Sequence, residues 1–383
     1  MDLPSPASRP DLLVVAGEHS GDAHAARMVR QAKAKNPGLA VCALGGDELK
    51  DAGAELLFDL TEHSVVGLFE VLKNYGFFKE LFEATIAWIK EHRPRAVCFI
   101  DYPGFNLRLA KRLCDEKLAV KGGGEIKLLY YISPQIWAWK TGRRFKMAKL
   151  LDSLAVIFPF EVSCYSDTDL PVNFVGHPFV EEDHALPLTY DPDAPILLLP
   201  GSRQTPVKRI LPVMLEGLRA FRKIDSKRKV IIVYPSDPIR ESEAAILSQY
   251  PDLQDCVSLE TLANGQRVSA VLTSSGTMSL EVALAGVPGA IVYRANPLTY
   301  MIGRRVVKID YLGIANILLD RPAWPEFIQG AASPDALADQ LQQCINGKSR
   351  IAASTKDAAA LKTILGEAAD MQPADWLLSE LEA

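Results

Sequence analysis

The stretch "DLLVVAGEHSGDAHAARMV", Asp11 to Val29, decides how the rest of the chain is read. Five consecutive apolar residues, Leu12 to Ala16, run into a glycine turn carrying Glu18, Ser20 and Asp22, and helix-period sequence follows. An unbroken apolar run of this length fits a strand buried on both faces, which occurs in parallel sheets covered by helices. Runs of the same kind recur at Ala40 to Leu44, Ala96 to Ile100, Ile126 to Ile132 and Leu154 to Phe158. A second series follows: "PILLLPGS" (Pro195 to Ser202), "VIIVYP" (Val230 to Pro235), "AVLTSSGT" (Ala270 to Thr277) and "GAIVY" (Gly289 to Tyr293). Each run is separated from the next by helix-period sequence, the signature of βαβ units.

The chain has 383 residues, more than one hydrophobic core usually organises, so two α/β domains are expected. The boundaries predicted are 1–178 and 190–350, joined through "GHPFVEEDHALPLTYDPDAP" (Gly176 to Pro195), which is rich in proline and acid and follows neither period. Residues 351–383 read as helices that pack back toward the first domain. Two doubly wound sheets facing a cleft place ligands at the carboxyl ends of their strands. The loops after the apolar runs are therefore the places to search for chemistry.

Composition narrows the function. With 48% hydrophobic and 23% charged residues the chain is globular, and a net charge of -5 argues against nucleic acid as a partner. Six well-separated cysteines, Cys42, Cys98, Cys114, Cys164, Cys256 and Cys344, form no paired metal or redox spacing and read as reduced thiols. The start "MDLPSPASRPD" shows no secretory signal, and no apolar run reaches the roughly 18 residues of a spanning helix. A cytoplasmic protein is expected, touching membrane only at its surface.

The loops carry distinct chemistries. In "LTSSGTMSLEVALAGVP", Ser275, Gly276 and Thr277 open a helix whose free N–H groups and dipole suit a phosphate, with Glu281 one turn on, placed to accept from ribose hydroxyls. The same serine and threonine would equally serve as plain helix caps. "LLLPGSRQTPVKRILP" sets Ser202 and Arg203 before another helix, where a guanidinium forks onto phosphate oxygens. "AVCFIDYPGFNLRLA" ends a strand in Asp101, a candidate general base or a turn-capping acid, with Asn106 beyond it. "YYISPQIWAWKTGRRFKMAK" mixes Trp137 and Trp139 with Lys140, Arg143 and Arg144, suited to an amphiphilic phosphorylated ligand or to an exposed amphipathic helix. The acidic pairs Asp167/Asp169 and Asp191/Asp193 match a divalent-metal pattern but lie in linker-like sequence, so no metal and no cofactor is expected. "SVVGLFEVLKNYGFFKELF" (Ser64 to Phe82) is apolar over more than one helix face, and Val66, Leu68, Phe69, Leu72, Phe77 and Phe78 are candidates for contact with a membrane or acyl chain.

In order, "GEHSGD", "FIDYPGFN", "YYISPQIWAWK", "VGHP", "LLPGSR", "SSGTMSLE" and "PEFIQ" resemble the lipid-A-disaccharide synthase family over nearly the whole chain. The resemblance implies the GT-B glycosyltransferase fold of two Rossmann-like domains, with the acceptor on the first and the UDP-sugar on the second. It implies transfer of 2,3-diacylglucosamine from UDP to 2,3-diacylglucosamine 1-phosphate, with inversion, giving a β-1,6-linked disaccharide and UDP. Asp101 is then the expected base, with Glu18 and Asp22 beside it. Ser20, Gly21, Asn106, Trp137, Arg143 and Arg144 fall on the acceptor side. Ser202, Arg203, Ser275, Gly276, Thr277, Glu281, Asn316 in "GIANILL" and Gln329 in "PEFIQ" fall on the UDP side. Pro206 stands where the family usually carries an acid, and is expected to alter that helix start; Ala315 stands where it usually carries proline. The resemblance also implies a peripheral place on the inner membrane, and a homo-oligomer is compatible with it. A nucleotide-sugar 2-epimerase, a transferase for another UDP-sugar, and a non-catalytic membrane-associated binder are the rival readings. Within the opening stretch, Glu18, Ser20, Gly21 and Asp22 are the motif positions, while His19 and His24 fall outside them.

Overall fold

The structure, a computed structural model, describes residues 1–62, 75–181, 184–296, 300, 309–366 and 369–382. The chain divides into two compact units, Met1–Pro178 with Ala368–Ala383, and Phe179–Glu367.

The first unit holds seven parallel strands: β1 (Leu12–Ala16), β2 (Val41–Gly45), β3 (Glu55–Asp59), β4 (Ala96–Ile100), β5 (Lys127–Tyr131), β6 (Ser153–Val156) and β7 (Val172–Phe174). Their order is β3-β2-β1-β4-β5-β6-β7. Every residue of β1 and β4 is fully buried, which is why these strands appear as unbroken apolar runs. β3 and β7 lie at the edges, carry polar residues and are only partly buried, so an apolar-run criterion passes over them.

The chain continues through β8 (Leu188–Tyr190), β9 (Ile196–Leu199), β10 (Val230–Val233), β11 (Val257–Glu260), β12 (Gln266–Val268), β13 (Ala270–Thr273), β14 (Gly289–Tyr293) and β15 (Glu326–Ile328). Six of these form the second parallel sheet, β11-β10-β9-β13-β14-β15. The expected linker, 176–195, contains structure of its own: β8 pairs in parallel with β12, and Arg267 bridges Asp191 at 2.7 Å. Three residues pairing outside the main sheet leave too short a pattern for periodicity to detect.

The C-terminal segment divides between the units. The helix Lys348–Gly366 stays in the second, burying Ala358, Leu361 and Leu365 and pairing Asp357 with Arg321. Only the last helix, Pro373–Glu382, packs on the first unit, where the Trp376 indole donates to Ser153 Oγ at 2.9 Å. The preceding helix has a buried face of its own in the second unit, and the chain rejoins the first unit from Ala368.

Of the apolar segment at 64–82, Val66, Leu68, Phe69 and Leu72 lie outside the described residues. Phe77 and Phe78 are described, half-buried at the start of the helix Tyr75–His92 and packed on the first unit's core, with Phe77 5.8 Å from Phe58. Both phenylalanines remain partly exposed while packing on that core.

Glu243, on the helix Asp237–Leu247, is fully buried, and neither carboxylate oxygen has a hydrogen-bond partner among the described residues. Burial pushes this carboxyl from 4.5 up to about 8. A folded-state value above the unfolded one means that the wild-type unit is most stable below about pH 4.5 and loses stability as pH rises toward 8. Replacing Glu243 by Met should therefore stabilise the second unit by about 2 kcal/mol at pH 8 and by less at pH 5. Urea midpoints at the two pH values check this; an equal gain at both would contradict it.

Candidate active site

Both sheets reverse their strand order beside their first strand, between β1 and β4 in one unit and between β9 and β13 in the other. Such switch points leave a crevice at the strand ends where neighbouring loops diverge. The sequence-derived candidates Asp101, Glu18, Arg203 and Ser275 lie on the four loops at these two points.

In the first unit, the register Ala16↔Ile100 brings Gly17 and Glu18 alongside Asp101. Gly17 has no room for a side chain: a Cβ there would stand 2.3 Å from the Tyr102 ring. Gly21 is buried where its helix, His19–Lys35, crosses Ile100, and Glu18 and Ser20 are exposed. Asp22 points elsewhere. It is 2% exposed and accepts from the Gly46 and Glu48 N–H groups at 2.7 and 3.1 Å, capping the helix Asp47–Asp51. Asp22 thus supports the neighbouring helix start, and burial raises its carboxyl above the ordinary value.

Asp101 and Tyr102 are consecutive non-glycine residues in the left-handed region, with φ of 39° and 46°. That conformation is costly and needs outside support. The Asp101 N–H donates to Tyr131 O at 3.1 Å, and its carbonyl accepts from Asn106 Nδ2 at 2.8 Å and from the Tyr130 hydroxyl. Asn106 is fully buried and also donates to Ile100 O at 3.2 Å. Its Nδ2 braces the strand end. The Asp101 carboxyl is pushed up to about 6, first by burial and then by the Glu18 charge, while the Tyr102 N–H and Arg143 pull it down. A carboxyl so placed is ionised at neutral pH and still basic enough to take a proton.

The loop after β5 adds Trp137, half-buried and edge-on to Phe160 at 5.5 Å, and Arg143, half-buried with its guanidinium 5.7 Å from the Trp139 ring. Arg144 is already engaged, donating to both Asp167 oxygens at 2.7 and 2.6 Å. In this structure that ion pair also occupies Asp167 of the acidic pair. Glu161 was not singled out from the sequence. It is fully buried, accepts from Phe158 N–H at 3.2 Å, and is pushed up to about 8, chiefly by burial and in smaller part by Asp101. An acid in the first turn after a proline was its only signal.

In the second unit, Leu199 pairs with Thr273 and Ser274 N–H donates to Leu199 O at 2.8 Å, so the loops after β9 and β13 run side by side. Gly201 and Gly276 have φ of 127° and 151°, which side chains rarely adopt. They turn the chain into the helices Gln204–Phe221 and Thr277–Leu284, whose N-caps, Arg203 and Gly276, make no side-chain cap. Two uncapped helix starts at adjacent strand ends present free N–H groups and the positive ends of two helix dipoles, an arrangement that attracts anions in general. Ser202, Arg203, Gly276 and Thr277 are exposed there and Ser275 is half-buried. Pro206 does not alter the helix start: it occupies the first turn, where its missing N–H has no intrahelical partner to lose.

Glu281 lies one turn into the second of these helices, and burial pushes its carboxyl up to about 7. His184 Nε2 is 3.3 Å from its Oε1, and the His184 ring stacks on Phe179 at 4.9 Å. The two remaining UDP-side candidates are consumed internally. Asn316 is fully buried, donating to Trp324 O at 2.7 Å and Glu326 Oε1 at 2.8 Å and accepting from Trp324 N–H at 2.7 Å. Gln329 pairs through its amide with both backbone groups of Ala295, at 3.3 and 3.2 Å. Asn316 thus braces the entry to β15, and Gln329 ties the chain beyond β15 to that beyond β14. Among the described residues no cluster of three or more His, Cys, Asp and Glu is placed to hold a metal ion.

A family model described as lipid-A-disaccharide synthetase matches residues 12–375. The lipid-A-disaccharide synthase of Geobacter sulfurreducens is 36% identical over 365 residues, covering 93% of this chain and 93% of its own. That of Nitrosococcus oceani is 35% identical over 391 residues, covering 98% of this chain and 97% of its own. Among solved structures, a putative UDP-N-acetylglucosamine 2-epimerase from Listeria monocytogenes matches with a TM-score of 0.62 at 10% identity, covering 98% of this chain and 96% of that one. A spinosyn rhamnosyltransferase matches with a TM-score of 0.51 at 14% identity, covering 97% and 100%. At such identities the structural matches speak for the fold, two Rossmann-like domains of the GT-B type.

Proposed function

The chain belongs to the lipid-A-disaccharide synthase family and is a glycosyltransferase of lipid A biosynthesis, and from that footing we propose how its residues divide the reaction. The observation that carries the proposal is Asp101: a half-buried strand-end carboxyl, raised to about 6 and fixed in a costly backbone conformation by Asn106 and Tyr130. It takes the proton of the acceptor's 6-hydroxyl as that oxygen attacks the anomeric carbon of UDP-2,3-diacylglucosamine from the side opposite UDP. The C–O bond to the diphosphate breaks as the β-1,6 bond forms, and the pair of electrons leaves on UDP. Arg203 and the two helix starts at Gly201 and Gly276 receive that charge, which asks for no metal ion. Glu281 accepts from the ribose hydroxyls, and Arg143 takes the acceptor's 1-phosphate.

Both substrates are acylated, so the acceptor unit works at the surface of the cytoplasmic membrane. No helix among the described residues is long and apolar enough to cross one. Contact at the surface is supported by Trp139 and Phe145, 46% and 45% exposed, standing among Lys140, Arg143, Lys146 and Lys149. Aromatic rings at headgroup depth flanked by cations suit an anionic lipid interface.

Purified protein given UDP-2,3-diacylglucosamine and 2,3-diacylglucosamine 1-phosphate should form disaccharide and UDP in equal amounts, with and without EDTA. Absence of disaccharide in both arms would overturn the reading, and loss only with EDTA would overturn the metal-free mechanism. Epimerised UDP-sugar in place of disaccharide would point to the epimerase rival.

A further inference from the structure

We propose that His184 is a positioning residue for the donor nucleotide, holding the Glu281 carboxylate in the orientation that grips the ribose. The inference rests on the reading of Glu281 as the ribose-binding carboxylate and goes beyond it by naming what aims that group. His184 lies on the segment that enters the second unit, far in sequence from Glu281, yet its Nε2 stands 3.3 Å from Glu281 Oε1. The imidazole is itself fixed, stacked on Phe179 with ring centroids 4.9 Å apart and planes 24° apart. Both side chains are largely withdrawn from solvent, at 19% and 13% exposure, so the contact is not a loose surface pair.

The chemistry gives the contact a purpose. A carboxylate one turn inside a helix has a rotatable side chain, and a ribose diol is recognised well only when an acceptor oxygen is already aimed at it. The imidazole edge lying 3.3 Å from Oε1 restricts the carboxylate's rotation and, with a small turn of the ring, donates Nε2–H to Oε1 when the diol binds, leaving Oε2 to accept from the sugar. Burial raises the Glu281 carboxyl to about 7. A protonated Glu281 would have one fewer acceptor oxygen for the diol.

Two ligands separate this role from a merely structural one. UDP has the full ribose diol, and 2′-deoxy-UDP lacks one of its hydroxyls. His184→Phe keeps a ring on Phe179 and removes the donor; His184→Gln restores a donor without the ring. By calorimetric titration, His184→Phe should weaken UDP about tenfold and 2′-deoxy-UDP by twofold or less, with His184→Gln recovering at least part of the UDP affinity. In steady state the loss should fall on the donor KM, with kcat nearly unchanged. Glu281→Gln is run in parallel. If it leaves UDP affinity intact, the ribose reading fails and the inference falls with it. If Glu281→Gln weakens UDP while His184→Phe does not, or if His184→Phe weakens both nucleotides equally, the ribose reading survives and the role of His184 is overturned.

Discussion

Replacing Asp101 by Asn is expected to lower kcat by about 10³-fold while leaving UDP affinity unchanged, because the substitution removes a proton acceptor and keeps the size of the side chain. The general base must be ionised to act. Wild-type kcat/KM should therefore rise with pH through about 6 and level off above it, and that limb should vanish in the Asn variant. Glu18 supplies a like charge that raises the Asp101 carboxyl. Removing it in Glu18→Gln should move the limb toward lower pH without abolishing it. Asp22→Asn, by contrast, alters a buried helix cap and should reduce stability more than rate. A variant Asp101→Asn that keeps a tenth of wild-type kcat, or a rising limb that persists in it, would exclude Asp101 as the base.

Replacing Asn316 by Leu should destabilise the second unit by about 3 kcal/mol, since three hydrogen bonds are lost and the Trp324 backbone and Glu326 carboxylate lose a buried partner. Glu326 also accepts from the Leu312 and Gly313 N–H groups at 2.9 and 2.8 Å, so the damage extends to the loop before the helix Ile314–Leu319. The distinguishing measurement is a pair: the urea midpoint of the variant, and its UDP dissociation constant per folded molecule. A lower midpoint with unchanged UDP binding fits the buried network. Weakened UDP binding at an unchanged midpoint would restore Asn316 to the nucleotide site.

Asn316, Asn106 and Asp22 share one lesson. Each stands in a motif beside the parallel sheets, Asp22 and Asn106 after strands at the first unit's switch point and Asn316 against the start of β15, and each was a reasonable candidate for contact with substrate. All three instead face inward and satisfy backbone groups at the ends of strands and helices. Motif membership marks residues that a site needs, and a site needs its supports as much as its contacts. Spacing along the chain does not distinguish the two, because a polar side chain after a strand can turn toward the crevice or back under it.

The amino-acid order by itself determined the central strands, the two α/β units and the positions of Asp101, Arg203 and the Ser275 to Thr277 turn. Strands buried on both faces must be apolar throughout, and the turns that end them need glycine at Gly201 and Gly276. Only the tertiary structure decided which way each polar side chain faces. It spent Arg144 on Asp167 and Asn316 on Trp324, and it set His184 beside Glu281 across nearly a hundred residues of chain. Those outcomes depend on packing between segments distant in sequence, where the need to satisfy buried polar groups selects one partner among many that local pattern allows.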